Sequence, residues 1–297
     1  MDRRAIVVTL AATILLAITM FGPAHKAVSE PSSSRLRRSG TLAEATFWDG
    51  FSNVTVYTYT PSTMATATRP VFFIIHGASK NADEYRDFAI PLAERHNAII
   101  AAPLFNEPAF SRGGADPVAR GDGHWSFAHA TVLFEAVMDH FKATSSYLIG
   151  HSAGGQFVHR YATLNPGFHT RIVALNSGSY AFPTPDISWP YGLGGLGLPR
   201  YRSDALTQTL LAAPFTLMLG EADVKQNAEA GKLDVSEQAS LQGPNRHARG
   251  LRYFQFCKAL AEEKKWPFKW RLVQVPGVGH DGKAMLRTPL MDTALLI

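Results

Sequence analysis

Ser152 stands in the sequence Gly-His-Ser-Ala-Gly, between a short apolar run at 147–149 and a segment with a helical spacing of apolar residues. A serine at the tip of such a strand-to-helix turn holds its hydroxyl clear of the sheet, where it could act as a nucleophile. Gly150 and Gly154 supply the small neighbours that a sharp turn needs, because backbones pass close together there. The backbone N–H of Ala153 could stabilise the negative oxygen of a tetrahedral intermediate.

A serine hydroxyl needs a neutral imidazole to take its proton, and a carboxylate to hold that imidazole in the right tautomer. Asp223 follows the apolar run at 215–219, and His280 follows the run at 270–275 in a glycine-rich segment. Their order along the chain after Ser152 is the one expected for a serine on a strand-to-helix turn. The sequence therefore predicts these three residues as a catalytic set.

Two carboxylates compete for the role of the acid. Glu221 lies just after the predicted strand end, and Asp223 lies two residues further out, towards the side where Ser152 and His280 should meet. An aspartate also loses less side-chain entropy than a glutamate when it is held against an imidazole. Asp223 is the predicted acid, and Glu221 is the alternative.

A second backbone donor for the oxyanion is expected in the loop after the apolar run at 71–75. Ala78 is the candidate, and Gly77 next to it is the alternative. His76 in the same loop could be mistaken for a catalytic base. At the end of a buried strand and beside a glycine, it is instead predicted to hold the loop in place.

Two long segments rich in glycine and proline, 106–125 and 181–202, fit neither a strand nor a helix period. Loops of this length often act as lids or binding loops, and plain surface excursions are the alternative. Candidate substrate contacts are Trp125, Trp189, Tyr191 and, beside the serine, His151, for which packing is the other interpretation.

Neither a metal nor a cofactor is expected, because the sequence contains no ligand spacing such as HExxH or CxxC. Cys257 is the only cysteine and lies in an apolar helical pattern, so it is predicted to be a buried core residue rather than a nucleophile. Arg246, Arg249 and Arg252 lie on one predicted helix, where a solvated face or a set of ion pairs is favoured over a ligand site.

The net charge of +5 could suggest a nucleic-acid partner. Residues 1–40, however, hold six basic side chains against two acidic ones, so most of the excess lies outside the predicted folded part. Nucleic acid is therefore not expected as a partner.

Arg3 and Arg4 precede an uncharged apolar run of 17 residues at 5–21, a pattern typical of an export signal. Cleavage is expected after Ala24, with Ala27 as a second possibility. An uncleaved anchor is the alternative, because the run reaches the lower limit for a membrane-spanning helix. In both cases the rest of the chain faces outward, and contact with a membrane is limited to this segment.

The predicted organisation has three parts, namely a signal peptide at 1–24, a flexible basic linker at 25–40 and a catalytic domain at 41–297. The domain opens with alternating runs at 42–48 and 54–59, which predict an antiparallel hairpin. Beyond them, apolar runs alternate with amphipathic segments, as is typical of a mostly parallel sheet with helices on both faces. Strands are predicted at 71–75, 98–102, 147–149, 172–175, 215–219 and 270–275.

Several motifs together resemble the α/β-hydrolase superfamily over nearly the whole predicted domain. They are the GHSAGG segment at the serine, the His-Gly loop, the GEAD segment and the GVGHD segment. The run IIHGASKNADEY and the later NSGSY are similar to exported esterases grouped with polyhydroxybutyrate depolymerases and feruloyl esterases. This resemblance implies Ser152 as nucleophile, Asp223 as orienting acid, His280 as general base, and Ala78 with Ala153 as oxyanion donors.

The resulting expectation is a secreted or periplasmic serine hydrolase of α/β-hydrolase fold. It would cleave carboxylic esters, of small molecules or of polymers, through an acyl-enzyme on Ser152. A serine peptidase or an acyltransferase could use the same residues, because fold and catalytic set do not decide the substrate. A hydrolase-like binding protein without activity is the third interpretation.

Overall fold

The computed structural model describes residues 40–50, 52–62, 68–105, 127–196, 203–226 and 233–297. The predicted signal peptide and nearly all of the predicted linker lie outside these residues. So do Trp125 and the glycine-rich segment at 106–125, together with the end of the segment at 181–202.

An eight-stranded sheet forms the centre of the described part, in the order β1-β2-β4-β3-β5-β6-β7-β8. The pairs β1–β2 and β2–β4 are antiparallel, and every pair from β4–β3 onward is parallel. The predicted N-terminal hairpin and mostly parallel sheet are confirmed, each predicted strand within two residues of its observed bounds. The strands are β1 Thr41–Trp48, β2 Asn53–Thr60, β3 Val71–Ile75, β4 Ile99–Pro103, β5 Ser146–His151, β6 Arg171–Leu175, β7 Phe215–Gly220 and β8 Arg271–Val275.

Helices cover both faces of this sheet, as the sequence predicts. The described helices are α1 Ala82–His96, α2 Phe127–His140, α3 Ala153–Leu164, α4 Asp204–Ala212, α5 Glu237–Ser240, α6 Arg246–Lys264, α7 Gly282–Arg287 and α8 Leu290–Leu295. None of them is long and apolar enough to span a bilayer.

The core consists of two apolar layers that the sheet separates. Phe73 and Ile75 point into the layer formed with α2, α3, α4 and α6. Phe72 and Ile74 point into the layer formed with α1, α7 and α8. Successive strand residues face opposite sides, so a strand that is apolar at every position must be covered on both. The continuous apolar runs of the sequence have this cause.

The sheet places the carboxyl ends of its parallel strands at one edge. Ile75 of β3 pairs with Gly150 of β5, whose next residue, His151, pairs with Leu175 of β6. Further along, Gly220 of β7 pairs with Val275 of β8. The loops that follow these strands carry the residues at 76–80, 152, 176–180, 221–223 and 276–281, so the predicted site residues converge there.

Helix α6 corrects one interpretation made from the sequence. Arg246 and Arg249 are buried and Arg252 is exposed, so the three arginines do not form a solvated face. Arg246 does form an ion pair, at 3.6 Å from the Asp223 carboxylate, which is the other arrangement that the sequence favours. Cys257 on the same helix is a buried free thiol, as predicted. Burial raises the pKa of this thiol well above its usual range, which makes it a poor nucleophile.

Gly154→Ala tests how closely the first turn of α3 approaches β3. A Cβ atom at this position would lie 2.3 Å from the carbonyl oxygen of Ile75 and 2.6 Å from that of His76, both on the backbone. We expect the free energy of unfolding to fall by about 1–3 kcal/mol, because overpacking forces the strand to shift. Urea denaturation measures this change.

Gly279→Ala is the matched control, since the nearest atom to its Cβ would be the Ala222 carbonyl oxygen at 3.5 Å. The control protein should unfold within about 0.5 kcal/mol of the wild type. A Gly154→Ala protein as stable as this control would show that β3 has more room than the structure gives it.

Candidate active site

Ser152 joins β5 to α3 with a left-handed backbone, φ 59° and ψ −115°. Its N–H donates to the carbonyl oxygen of Leu175, 2.9 Å away, which ties the turn to β6. A non-glycine residue at such angles costs of the order of 1–3 kcal/mol and persists only when its surroundings hold it. The strand, turn and helix therefore present the serine hydroxyl at the edge of the sheet, as the sequence predicts.

Three glycines make this turn possible. A Cβ at Gly150 would lie 2.3 Å from the carbonyl oxygen of Gly154. A Cβ at Gly155 would lie 2.5 Å from the Ser177 hydroxyl and 2.8 Å from the Leu175 carbonyl oxygen. Gly150 and Gly154 were predicted from the sequence to open this turn, whereas Gly155 was not, although a second glycine directly after Gly154 was the available signal.

The structure brings Ser152, His280 and Asp223 together. The serine hydroxyl donates to Nε2 of His280 over 2.9 Å, and Nδ1 of the imidazole donates to Oδ2 of Asp223 over 2.8 Å. In this tautomer the imidazole is neutral, and its Nε2 can accept a proton. Asp223 and Ser152 precede His280 by 57 and 128 residues in the sequence. The fold therefore brings the three side chains together.

Of the two competing carboxylates, Asp223 is the one that contacts His280. It is 2% exposed, whereas Glu221 is exposed to solvent. The loop turns the aspartate inward because the N–H of Asp223 donates to the Gly220 carbonyl over 3.0 Å, and the N–H of Ala222 donates to the Val278 carbonyl over 2.9 Å.

His76 holds the loop that carries Ala78. Its Nδ1 donates to the Gly77 carbonyl over 2.7 Å, and its Nε2 accepts from the Phe105 N–H over 3.1 Å. Burial lowers the pKa of His76 to about 4, so the imidazole stays neutral and keeps both bonds. It occupies the loop-fixing position that the sequence predicts.

The two predicted oxyanion donors lie at the same edge of the sheet. Ala78 follows β3 by three residues, and Ala153 is the first residue of α3. The first N–H groups of a helix have no acceptor within it and are available to an anion. Their part in stabilising an oxyanion stays a prediction.

His151 packs against the base rather than standing free beside the serine. Its ring centroid lies 4.7 Å from that of His280, and a hydrogen bond of 2.7 Å joins its Nδ1 to the Tyr85 hydroxyl. Burial, with the nearby His280 and Arg246, lowers the pKa of His151 well below its usual range. A neutral imidazole therefore lies against the ring of His280, which agrees with the packing interpretation.

Trp189 and Tyr191 both have partners within the protein. Trp189 is half-buried, with the Arg160 guanidinium 5.9 Å from its ring centroid. The Tyr191 hydroxyl donates to Asp234 over 2.5 Å and lies 2.9 Å from the Ser236 hydroxyl. Substrate contact by these two residues stays a prediction. Trp125 lies outside the described residues.

Asn176 is a further residue of the site, and it was not among the residues predicted from the sequence. Its Oδ1 accepts from the Gly220 N–H over 2.7 Å, and its Nδ2 donates to the Gly279 carbonyl over 3.0 Å. One buried side chain thus ties the loop of Asp223 to the loop of His280. Its place directly after an apolar strand, in a polar segment, was the available signal.

No group of three or more His, Cys, Asp or Glu side chains in the described part of the chain could hold a metal ion. The arrangement of Ser152, His280 and Asp223 is suited to nucleophilic attack by a hydroxyl with an adjacent base.

Comparison with known proteins gives two kinds of match. Residues 70–201 match the family model for the alpha/beta hydrolase fold. No curated protein sequence matches the chain. The structure is similar to the poly(3-hydroxybutyrate) depolymerase LpqC from Bordetella parapertussis, with a TM-score of 0.75 and 32% identity over 86% of this chain and 89% of that one.

A second solved structure is almost as similar. It is poly(aspartic acid) hydrolase-1 from Sphingomonas sp. KT-1, with a TM-score of 0.73 and 30% identity over 88% of this chain and 99% of that one. FphF, a fluorophosphonate-binding serine hydrolase from Staphylococcus aureus, matches with a TM-score of 0.53 and 15% identity, covering 87% of this chain and 98% of that one. This last likeness is one of fold.

Exchanging each carboxylate for its amide tests which one acts on His280. Asp223→Asn should keep the fold and lower turnover by about 10⁴-fold, because an amide favours the wrong imidazole tautomer. Glu221→Gln is the matched control, and its exposed side chain should make its effect less than about twofold. Steady-state kinetics on an activated aryl ester measures both. The reverse order of damage would assign the role to Glu221.

Asn176→Asp tests whether the amide holds the two loops in register. The aspartate keeps the acceptor for Gly220 and tolerates the left-handed φ of 45°, but it turns a carboxylate oxygen towards the Gly279 carbonyl. We expect kcat to fall by about 10²-fold, because small displacements of catalytic groups cost that much. Asn165→Asp, at the far end of α3, is the control and should leave kcat unchanged. Wild-type turnover in Asn176→Asp would contradict this role.

Proposed function

This chain belongs to the α/β-hydrolase family, and on that premise we propose that it is an exported serine hydrolase that cleaves carboxylic esters. The observation that carries the proposal is the unbroken chain of hydrogen bonds from the Ser152 hydroxyl through His280 to the buried Asp223 carboxylate, at 2.9 and 2.8 Å. Such a chain activates a hydroxyl that is otherwise a poor nucleophile.

The reaction we propose has two steps. The Ser152 oxygen attacks the ester carbonyl while His280 takes its proton, and the imidazolium then protonates the leaving alcohol. A water molecule, deprotonated by the same imidazole, next attacks the acyl group on the serine. Each step passes through an oxyanion, for which the N–H groups of Ala78 and Ala153 are the proposed donors.

Hydrolysis of an ester is favoured over other acyl transfers by one structural relative. The depolymerase with 32% identity is named for poly(3-hydroxybutyrate), whose units are joined by ester bonds.

Hydrolysis of amide bonds is a second candidate function, and one observation favours it. The relative with 30% identity is named for poly(aspartic acid), whose units are joined by amide bonds. The same triad can cleave both bond types, because specificity lies in the groups around the acyl and leaving parts of the substrate.

Export is proposed from the N-terminal sequence alone. Arg3 and Arg4 before the apolar run at 5–21 fit a bacterial export signal, which would release the catalytic domain outside the cytoplasm. A polymeric substrate too large to enter a cell would require that location.

Ser152→Ala tests the proposed nucleophile. The variant removes one hydroxyl and should lose both labelling by a fluorophosphonate and about 10⁶-fold of the ester-hydrolysis rate, with an unchanged circular dichroism spectrum. Ser240→Ala removes an exposed hydroxyl on α5 and serves as control, with full labelling and full rate. Labelling that persists in Ser152→Ala at another serine would refute the assignment.

A panel of short aryl esters, aryl amides, poly(3-hydroxybutyrate) and poly(aspartic acid) then separates the two candidate functions. We expect esters to be cleaved faster than the corresponding amides, and the polyester to release soluble acid. Release of soluble products from poly(aspartic acid) but not from poly(3-hydroxybutyrate) would make the second candidate the correct one.

A further inference from the structure

The carboxylate of Asp223 has a second charged neighbour besides His280. Nη1 of Arg246 lies 3.6 Å from Oδ1, the oxygen that does not face the imidazole. The arginine side chain is 3% exposed and the aspartate side chain 1% exposed. The Arg246 guanidinium and the Asp223 carboxylate thus form a buried ion pair, on the other side of the carboxylate from His280.

The first turn of α6 holds this arginine in place. Asn245 caps the helix, with its Oδ1 accepting the Ala248 N–H over 2.8 Å. The backbone N–H of His247 donates to the carbonyl oxygen of Asp223 over 3.3 Å. The helix start therefore contacts both the backbone and the side chain of the aspartate.

The positive charge of Arg246 changes the relative stability of protonated and neutral His280. Protonated His280 is stabilised by the negative charge of Asp223 and destabilised by the positive charge of Arg246. Nη1 of Arg246 lies on the Asp223 oxygen that faces away from the imidazole, so its charge acts on His280 from behind the carboxylate and with the opposite sign to that of Asp223. The positive charge of Arg246 therefore favours the neutral imidazole, which is the form that can accept the serine proton.

We propose that Arg246 is a positioning residue of this active site, which fixes Asp223 by its outer oxygen and extends hydrolysis towards acidic pH. The inference rests on the proposed function and deepens it. Arg246 does not touch the reacting atoms, and it acts through Asp223 and through its field.

Other charged or titratable groups surround Asp223 and His280, but they do not contact the Asp223 carboxylate as Arg246 does. Burial keeps His151 on β5 neutral, with its pKa well below the usual range, and keeps the Tyr180 hydroxyl neutral by raising its pKa. Arg249 donates to the carbonyl oxygens of Gly178 and Gly243.

The remaining groups lie on the two loops and on the start of α6. Asp281 caps α7, with its Oδ1 accepting the Ala284 N–H over 3.0 Å. His247 places Nε2 3.0 Å from Oε1 of Gln274, and Glu221 is exposed. Among the described groups, Arg246 is the cation that contacts the aspartate.

The experiment compares kcat/KM against pH, from about pH 4.5 to 9, for the wild type, Arg246→Met, Arg246→Lys and the exposed control Arg252→Met, on one activated aryl ester. The acid limb is the fall in kcat/KM at low pH. In Arg246→Met it should move to higher pH by about one unit, because the cation that destabilises protonated His280 is gone. Arg246→Lys keeps the charge and should keep the limb within about 0.3 unit, although kcat falls. Arg252→Met should match the wild type.

A second pair of proteins keeps the test decisive if Arg246→Met does not fold. The double variant Asp223→Asn with Arg246→Met contains neither charge of the buried pair, and it is compared with Asp223→Asn, which keeps the arginine but lacks that carboxylate. Removing the arginine in this background should still raise the acid limb by about one unit, since its field acts on the imidazole directly.

The outcomes separate this inference from the proposed function. The inference would be overturned by a lower kcat with an unmoved acid limb in Arg246→Met, or by an unmoved acid limb in the double variant. Arg246 would then have only a packing role, and the proposed function would stand. A wild-type protein that neither hydrolyses esters nor takes a fluorophosphonate label at Ser152 would overturn both.

Discussion

The left-handed backbone of Ser152 is the constraint on which the rest of the site depends. A turn with φ near 59° can reverse a strand into a helix only if the neighbouring backbones come almost into contact. Gly150, Gly154 and Gly155 allow that approach to β3 and β6. The cost of the strained turn is met by the hydrogen-bonded sheet around it, since Ser152 also bonds to Leu175.

Beyond the strand ends, the loops have no ladder of backbone hydrogen bonds to align them. Single buried polar side chains replace it. His76 ties the loop after β3 to the residue that follows β4 by two positions, and Asn176 ties the loop of Asp223 to that of His280. Each pair of bonds joins backbone groups of two different chain segments. The geometry of the proposed triad is thus set by residues that take no part in the chemistry.

Charge in the site is arranged so that one group changes its protonation state while its neighbours do not. His151 lies against His280 and stays neutral because it is buried. Asp223 is paired on both oxygens, with His280 on one and Arg246 on the other. A buried carboxylate with only one partner would favour an imidazolium over the neutral base.

Two structural relatives named for different polymers show that this fold accommodates more than one substrate.

Local pattern was enough to predict the strands, the serine turn and the order of the three site residues, because apolar runs and glycine spacing reflect burial and close approach along the chain itself. Residues 71–75 were predicted with the bounds that the structure has. The tertiary structure alone decided which carboxylate meets His280 and that Arg246 and Arg249 are buried. It also decided that Asn176 joins the loops of Asp223 and His280, and that Tyr85 of α1 bonds to His151 of β5. These contacts join residues far apart in sequence, and no periodicity within a segment records which distant side chain will lie opposite once the sheet has formed.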